Sequence, residues 1–350
     1  MSVDVYIGWD VGGAHLKLSQ VHRNGQVIGA YQYVSPLWEG LKVLEEALAA
    51  AAECLPASSH RHAITTTAEL VDIFPDRHVG LRKLAAVLCR VLGTNRTRFY
   101  GGRAGWIGAD NIERYAPEIA SANWHATAKF AATRLAEGIL IDIGSTTTDI
   151  VPFRDGQPCH RGYSDFERLH HAELVYTGIV RTPVMAIVRQ VPVGGRWQPL
   201  AAELFATMAD VYRLTGELDE RDDMQETADG AGKQARDSAR RLARMLGTDM
   251  VEENGLDPWR AIARYLAEAQ LQAVGKALQV IWSRGDVDPE SPLVGAGAGR
   301  FLVKKLAARS GLTYTDFADM LTCPVDVRCE AARCAAAVAV AQLARLIEWA

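Results

Sequence analysis

Two short segments carry residue types suited to chemistry on an anion. In Tyr6–Ser19 an apolar run ends at Asp10, Gly12, Gly13 and His15 follow, and a second run carries Lys17. In Ile139–Val151 the order recurs: Asp142, then Gly144, Ser145, Thr146 and Thr147, then a second run. Glycine lets backbone N–H groups approach an anion with no Cβ in the way. An aspartate at the mouth of such a turn suits a hard cation, and Mg²⁺ is usually held through water. Hydroxyls at Ser145, Thr146 and Thr147 add donors, and Lys17 supplies a point charge. One such turn reads equally well as an ordinary hairpin. Two matched copies point to a cleft holding a phosphate group, with Asp10 and Asp142 at its metal.

The elements that must position these residues repeat as well. Asn24-Gly25 and Asp155-Gly156 are hairpin signals; Gly25 follows Asp10 by 15 residues and Gly156 follows Asp142 by 14. A third apolar run, Val27–Tyr33, follows the first hairpin, and its counterpart after Gln157 is weaker. Each half therefore opens with strand, glycine turn, strand, hairpin, strand, and the openings lie 132 residues apart. Apolar residues recur at helical spacing over Leu37–Leu55, Val79–Leu92, Asn123–Leu135, Pro199–Leu214, Gly230–Leu246, Trp259–Trp282 and Glu330–Trp349. The pattern predicts an α/β protein of two related domains. The first takes residues 1–137 plus a C-terminal Ala-rich helix at 330–350. The second takes 138–329, with a helical insertion at about 199–285.

A third glycine stretch, Gly295, Gly297 and Gly299, lies between an apolar run and a helix starting at Phe301. Arg300 stands where GxGxxG needs its last glycine, and no GxxxxGK[ST] occurs, so neither dinucleotide nor P-loop fingerprint is met. Alone, this stretch reads as an anion- or ring-binding helix start or as a packing turn.

Composition narrows the class. The chain has 350 residues, 49% hydrophobic and 23% charged, with net charge −4; it is globular and lacks a general polyanion-binding field. Nucleic acid and membrane are not expected partners. Asp4 precludes a basic secretory start, and no apolar run reaches about 20 residues, so a cytoplasmic location is expected. Six cysteines, none in CxxC pairs, read as small buried hydrophobes. Glu217–Asp229 is acidic, and Lys233, Arg236, Arg240 and Arg244 share a helix face. These read as solvated surface or as a lid whose Asp229, Gly230 and Lys233 meet an anionic substrate. Asn123 reads as a helix cap, with Trp124 and His125 more fitted to core than to a pocket. Arg103, after a glycine turn, is a surface arginine or an anion contact.

The order Asp-x-Gly turn, Asp-x-Gly turn, Gly-rich turn before a helix resembles the superfamily of actin, heat-shock chaperones and sugar kinases. There the three are called phosphate-1, phosphate-2 and adenosine motifs. Within it the chain is similar to the hydantoinase/oxoprolinase-related group and its branch in tetrahydromethanopterin-linked one-carbon transfer and methanofuran biosynthesis. The residues that carry this are Ile7–Lys17, Thr65–Asp72, Ser121–Ala128, Asp142–Asp149, Thr227–Gly230 and Cys334–Ala341. The resemblance implies duplicated ribonuclease H-like (actin-like ATPase) domains, mixed sheets flanked by helices, and a cleft between them. It also implies alkyl transfer: an aminomethylfuran carrying a diphosphate is joined to the phenol oxygen of tyramine or glutamyl-tyramine, releasing pyrophosphate. Asp10, Lys17, Glu69 and Asp142 are then the expected catalytic residues, with Mg²⁺ as cofactor. Glu69 and Asp72, after the run ending at Thr67, fit a base, a metal support or a helix start. His15 stands where the superfamily commonly has Thr. On the same fold, an ATP-dependent kinase or amide-activating enzyme would place adenosine at Gly295–Gly299, and a non-catalytic nucleotide-binding scaffold is a third reading. Self-association as a homodimer is left open.

Overall fold

The computed structural model describes residues 3–251, 253 and 255–347. Trp349, the expected end of the last helix, lies outside them. The first sheet is built from β1 (Val5–Val11), β2 (His15–His22), β3 (Val27–Val34), β4 (His60–Thr66), β5 (Thr97–Tyr100) and β6 (Trp106–Ile107), in the order β3-β2-β1-β4-β5-β6. The second comprises β7 (Glu137–Ile143), β8 (Thr148–Arg154), β9 (Gln157–Pro158) and β10 (Leu174–Val175). After a separate hairpin of β11 (Gln190–Val193) and β12 (Arg196–Pro199), β13 (Leu293–Ala296) and β14 (Tyr314–Asp316) complete that second sheet, in the order β10-β8-β7-β13-β14 with β9 on β8. β1 pairs antiparallel with β2 and parallel with β4; β7 pairs antiparallel with β8 and parallel with β13. Both sheets are therefore mixed, and each places its first strand in the interior, with the glycine turn at its end. This is the duplicated, ribonuclease H-like architecture of the actin-like ATPase fold.

The side-chain alternation of β7 shows how the layers meet. Ile139, Ile141 and Ile143 point into an outer core with Met208, Tyr212, Leu242, Leu266 and Leu302. Leu140 points the other way, into a core shared with Trp124, Phe130 and Val338. That inner core is made by two helices that cross between the halves. Ala335–Ala344 packs on β1, β2 and β4, while Asn123–Ala132 packs on β7, β8 and β9 and against Ala335–Ala344. Thus the helix that precedes the second half covers the second sheet, and the helix that ends the chain covers the first. Close approach needs small residues. A Cβ at Gly8 would collide with the Ala337 carbonyl, so only glycine lets the Ala-rich helix lie on β1. The outer face of the first sheet is closed by Leu44, Leu48, Leu81, Leu84 and Leu88 from helices Leu41–Ala52 and Arg77–Leu92. Each fully buried side chain of this size contributes about 1.5–3 kcal/mol.

The expected helix over Pro199–Leu214 is corrected. Gly194 and Gly195, at φ +55° and +75°, close the β11–β12 hairpin, and Pro199 belongs to β12. The helix starts only at Met208, behind a reciprocal Thr207–Asp210 cap. The last helical stretch is two helices, Val325–Arg333 and Ala335–Ala344, broken at Cys334. All six cysteines are free, and among the described residues no three His, Cys, Asp or Glu side chains are grouped to hold a metal ion. Among those residues, no helix is long and apolar enough to cross a membrane.

Candidate functional site

The two glycine turns are built alike. In the first, the Gly12 N–H donates to the His15 carbonyl at 2.9 Å; in the second, the Gly144 N–H donates to the Thr147 carbonyl at 2.9 Å. The carbonyls of each turn are then tied back. Leu37 and Ser35 N–H groups donate to Gly13 and Ala14, and Ile179 and Val180 N–H groups donate to Gly144 and Ser145. A trans peptide sets its N–H opposite its C=O. Drawing the carbonyls of Gly13, Gly144 and Ser145 into the protein therefore turns the amides of Ala14, Ser145 and Thr146 the other way, toward the space between the sheets. The second turn also needs Gly178 beneath it, where a Cβ would collide with Ser145 and Thr146 backbone.

Both turns open on one cleft of about 590 Å³, lined by Asp10, Gly12, Gly13, His15 and Lys17 from the first half and by Asp142, Gly144, Ser145, Thr146 and Thr147 from the second. The residues of the two sequence-predicted turns are therefore brought together at one place. Lys17 Nζ lies 3.9 Å from Asp10 Oδ2. Burial lowers the lysine pKa, but the charges of Asp10, Cys334, Asp142 and Asp222 outweigh it and hold Lys17 protonated. Burial raises the pKa of Asp10 against the opposing charge of Lys17, with Asp149 adding to the rise. Asp142 is pushed up to about 7, chiefly by burial; Lys17 opposes this while Asp149 and Asp10 add to it. Asp10 Oδ1 is buried with no hydrogen-bond partner. An orphaned carboxylate oxygen beside a second suppressed acid is a site short of positive charge.

His15 is neutral, its pKa lowered to about 3 by burial, with Lys17 and Arg181 contributing. Its Nε2 lies 3.1 Å from the Gln225 side-chain nitrogen. That amide can only donate, so Nε2 accepts and the proton sits on Nδ1. Gln225 belongs to the acidic segment, and its neighbour Met224 accepts from Gln32 on β3 at 3.0 Å. The segment thus bridges from the insertion to the first half through Met224 and Gln225. Asp229 is held instead by Arg241 and Arg244 at 2.8 and 2.7 Å, and Lys233 by Asp223 at 3.3 Å. Neither lines the cleft.

Other sequence-predicted residues stand apart from the cradle. Glu69 is buried and does not line the cleft: Oε1 accepts from the Ser121 N–H and hydroxyl at 2.8 and 3.1 Å, and Oε2 from the Thr66 hydroxyl at 3.1 Å. It braces the end of β4 against the left-handed residue Ser121 (φ +54°). Both of its oxygens are engaged in this brace. Asp72 does line the cleft. Gly295, Gly297 and Gly299 do not; they lie behind the second turn. The Gly297 N–H donates to Ala332 and the Gly299 N–H to Ile143. A Cβ on Gly297 would strike Asp142 Oδ1, and one on Gly299 would strike Ile143. Arg300 spans that turn, bonding the Gly297 carbonyl at 3.1 Å and Asp316 at 3.2 Å. Trp124 and His125 are core residues, with the Tyr100 hydroxyl 2.8 Å from His125 Nδ1, while Asn123 faces the cleft. Asn123 is the first helical residue rather than the cap. Arg103 is exposed and off the cleft.

Several cleft residues escaped the sequence reading: Asp149, Arg168, Arg181 and Arg333. Arg168 pairs with Asp149 at 2.8 Å and stacks on Trp124. Arg333 pairs with Asp222 at 3.0 Å. Only Asp149 had a signal, since counting across the second turn sets it opposite Asp142.

The fold is that of the actin-like ATPases, with two matched glycine turns facing one cleft. A model of the hydantoinase/oxoprolinase family matches residues 63–343, and the chain belongs to that family. It is 29% identical over 253 residues, 71% of this chain and 74% of the other, to the (4-{4-[2-(gamma-L-glutamylamino)ethyl]phenoxymethyl}furan-2-yl)methanamine synthase of Methanocaldococcus jannaschii. It is 34% identical over 112 residues, 32% of this chain and 50% of the relative, to the synthase of the same name from Methanococcus vannielii. Among solved structures it is similar in fold to a nucleotide-free acetone carboxylase, with 11% identity, 88% of this chain and 68% of the other covered, and a TM-score of 0.57.

Proposed function

We propose that this protein is an alkyltransferase that joins an aminomethylfuran methyl diphosphate to the oxygen of a phenolic amine and releases pyrophosphate. The observation that carries the reading is the pairing of the Asp10 and Asp142 turns, with Lys17, around one cleft. The names of the two methanogen synthases supply the chemistry: their product holds a furan-methyl group in ether linkage to a phenol.

In this reaction the bond between the furan CH₂ and the diphosphate oxygen breaks with its electron pair leaving on oxygen. A bond forms between that carbon and the phenol oxygen, and the phenol's proton passes, directly or through water, to the released pyrophosphate. A furfuryl carbon stabilises positive charge, so the main task is to accept charge growing on the leaving diphosphate. Lys17, the amides of Ala14, Ser145 and Thr146, and the hydroxyls of Thr146 and Thr147, all from residues that line the cleft, would do so. Asp10 and Asp142 fit Mg²⁺, since Asp10 Oδ1 lacks a partner and both acids are destabilised as anions. Two carboxylates completed by water and substrate phosphate are the usual donor set of this ion. Bound there, Mg²⁺ would supply charge neutralisation to the diphosphate. Neutral His15, with its proton on Nδ1, borders the same anion.

The test is product analysis with pure protein, Mg²⁺, the furan diphosphate and a phenolic amine. Ether and pyrophosphate in equal amounts support the reading. Turnover of ATP to ADP with an acceptor, and none of the furan diphosphate, overturns it.

A further inference from the structure

Residues 216–234 form an irregular strap between helices Met208–Thr215 and Ala235–Met245. Three successive side chains anchor it to three different elements. Asp222 receives Arg333 Nε at 3.0 Å from both oxygens, and each of these side chains is only 4% exposed. Asp223 takes the Arg213 guanidinium in two bonds of 2.6 Å. Met224 Sδ accepts from Gln32 on β3 at 3.0 Å. The next residue, Gln225, sets its side-chain nitrogen 3.1 Å from His15 Nε2, across 210 residues of chain. A buried ion pair and a bidentate one just ahead of it remove the freedom that a loop glutamine ordinarily keeps.

The consequence falls on His15. In a neutral imidazole one nitrogen donates and the other accepts, and the bond made by one decides the state of the other. Free histidine favours the proton on Nε2; a Gln225 amide donating to Nε2 reverses that preference and leaves the proton on Nδ1. Nδ1 has no hydrogen-bond partner among the described residues and is not one of their buried orphaned atoms, so it opens on the cleft that His15 lines beside Lys17. The ring stays neutral, because burial and the charges of Lys17 and Arg181 disfavour its ionised form. In the other tautomer a nitrogen lone pair would face the same space and repel an anion there. We propose that Gln225 is a positioning residue of the diphosphate site: it fixes His15 as an Nδ1–H donor to a diphosphate oxygen. That this anion is a leaving group rests on the transferase reading above; the tautomer and the anion contact do not.

The experiment measures binding of inorganic pyrophosphate with Mg²⁺ by calorimetry, and reads the ring nitrogens of His15 by nitrogen NMR, in wild type, Gln225→Leu, His15→Leu and the double variant. Wild type is expected to show a protonated Nδ1 and a bare Nε2. In Gln225→Leu the signal is expected to move toward a protonated Nε2, and pyrophosphate to bind at least ~10-fold more weakly, the scale of one hydrogen bond to a charged group. On the His15→Leu background, Gln225→Leu is expected to cost nothing further, because it acts only through the ring. Met224→Ala, which loosens the strap without touching the ring, is expected to keep the wild-type tautomer and affinity. A protonated Nε2 in wild type overturns the inference. So does an equal loss of affinity from Gln225→Leu on both backgrounds, which marks a strap contact with no role at the ring. A wild type that binds pyrophosphate and shows the Nδ1 proton but makes no ether overturns the transferase reading alone.

Discussion

Lys17 faces Asp10 across β1 and β2, and Asp149 faces Asp142 across β7 and β8 in the same register. The duplicated turns are thus equal in backbone and opposite in charge at one position. Lysine in the first copy neutralises its aspartate and extends into the cleft. Aspartate in the second copy raises the pKa of its neighbour and takes Arg168 as its own partner. The two halves share one turn geometry, and this difference leaves a cleft in which the charge of Lys17 acts on both acids.

Lys17→Ala is therefore expected to lower ether formation at least ~100-fold, about 2.7 kcal/mol of transition-state stabilisation. Circular dichroism should show the fold intact, because the lysine tip contributes no core packing. Steady-state kinetics check this, and turnover within a few-fold of wild type would remove Lys17 from the leaving-group site.

Asp142 gives the apo protein a pH signature. Its folded pKa, about 7, lies above its ordinary value of 3.8. The folded chain therefore holds a proton that the unfolded chain releases. The associated stability is full below about pH 4 and is lost as pH rises through about 7. Without cation or ligand, Asp142→Asn should lose less Tm than wild type between pH 5 and 8, yet lose activity. Parallel Tm–pH curves for the two proteins would contradict the assignment.

The buried histidines act in the opposite sense. The Trp9 indole donates to His62 Nδ1 at 3.0 Å, and burial lowers the His62 pKa to about 3. Stability from keeping this ring neutral is present above about pH 6.5 and is lost as pH falls below that value toward 3. Acid titration should therefore destabilise wild type more than His62→Gln below pH 6, as read by Tm.

Glu69 and Gly297 separate support from chemistry. Glu69→Ala strips the Ser121 N–H of its buried acceptor and should cost about 1–3 kcal/mol in denaturant unfolding. Any loss of kcat should track misplacement of the cleft wall, since no Glu69 oxygen reaches it. Gly297, at φ +78°, abuts Asp142. Gly297→Ala should be both destabilised and impaired in pyrophosphate binding; a variant normal in both would show that the turn does not hold Asp142.

Much of this was legible because it is local. Asp10-x-Gly12 and Asp142-x-Gly144, their hairpin glycines and the alternation on β1 and β7 are short-range patterns, and they fixed both turns and both sheet openings. What failed to show is set by distance in the chain. Nothing near Gln225 announces that it will meet His15, and nothing near Arg181 announces that it will stack on Trp38. Glu69 looked like a base because it follows a strand toward the cleft, and only Ser121, 52 residues on, reveals its engagement. The late glycines looked like a ligand cradle because glycine spacing alone does not tell approach to a ligand from approach to Asp142 and Ile143.

The most direct measurement is a quenched assay in which wild type, Mg²⁺, furan diphosphate and γ-glutamyl-tyramine are sampled for pyrophosphate and ether, with a parallel series containing ATP. The account predicts pyrophosphate and ether rising together, one for one, with neither formed when the phenol is omitted and no ADP from ATP. ADP produced in step with an acceptor, while the furan diphosphate stays intact, would contradict it.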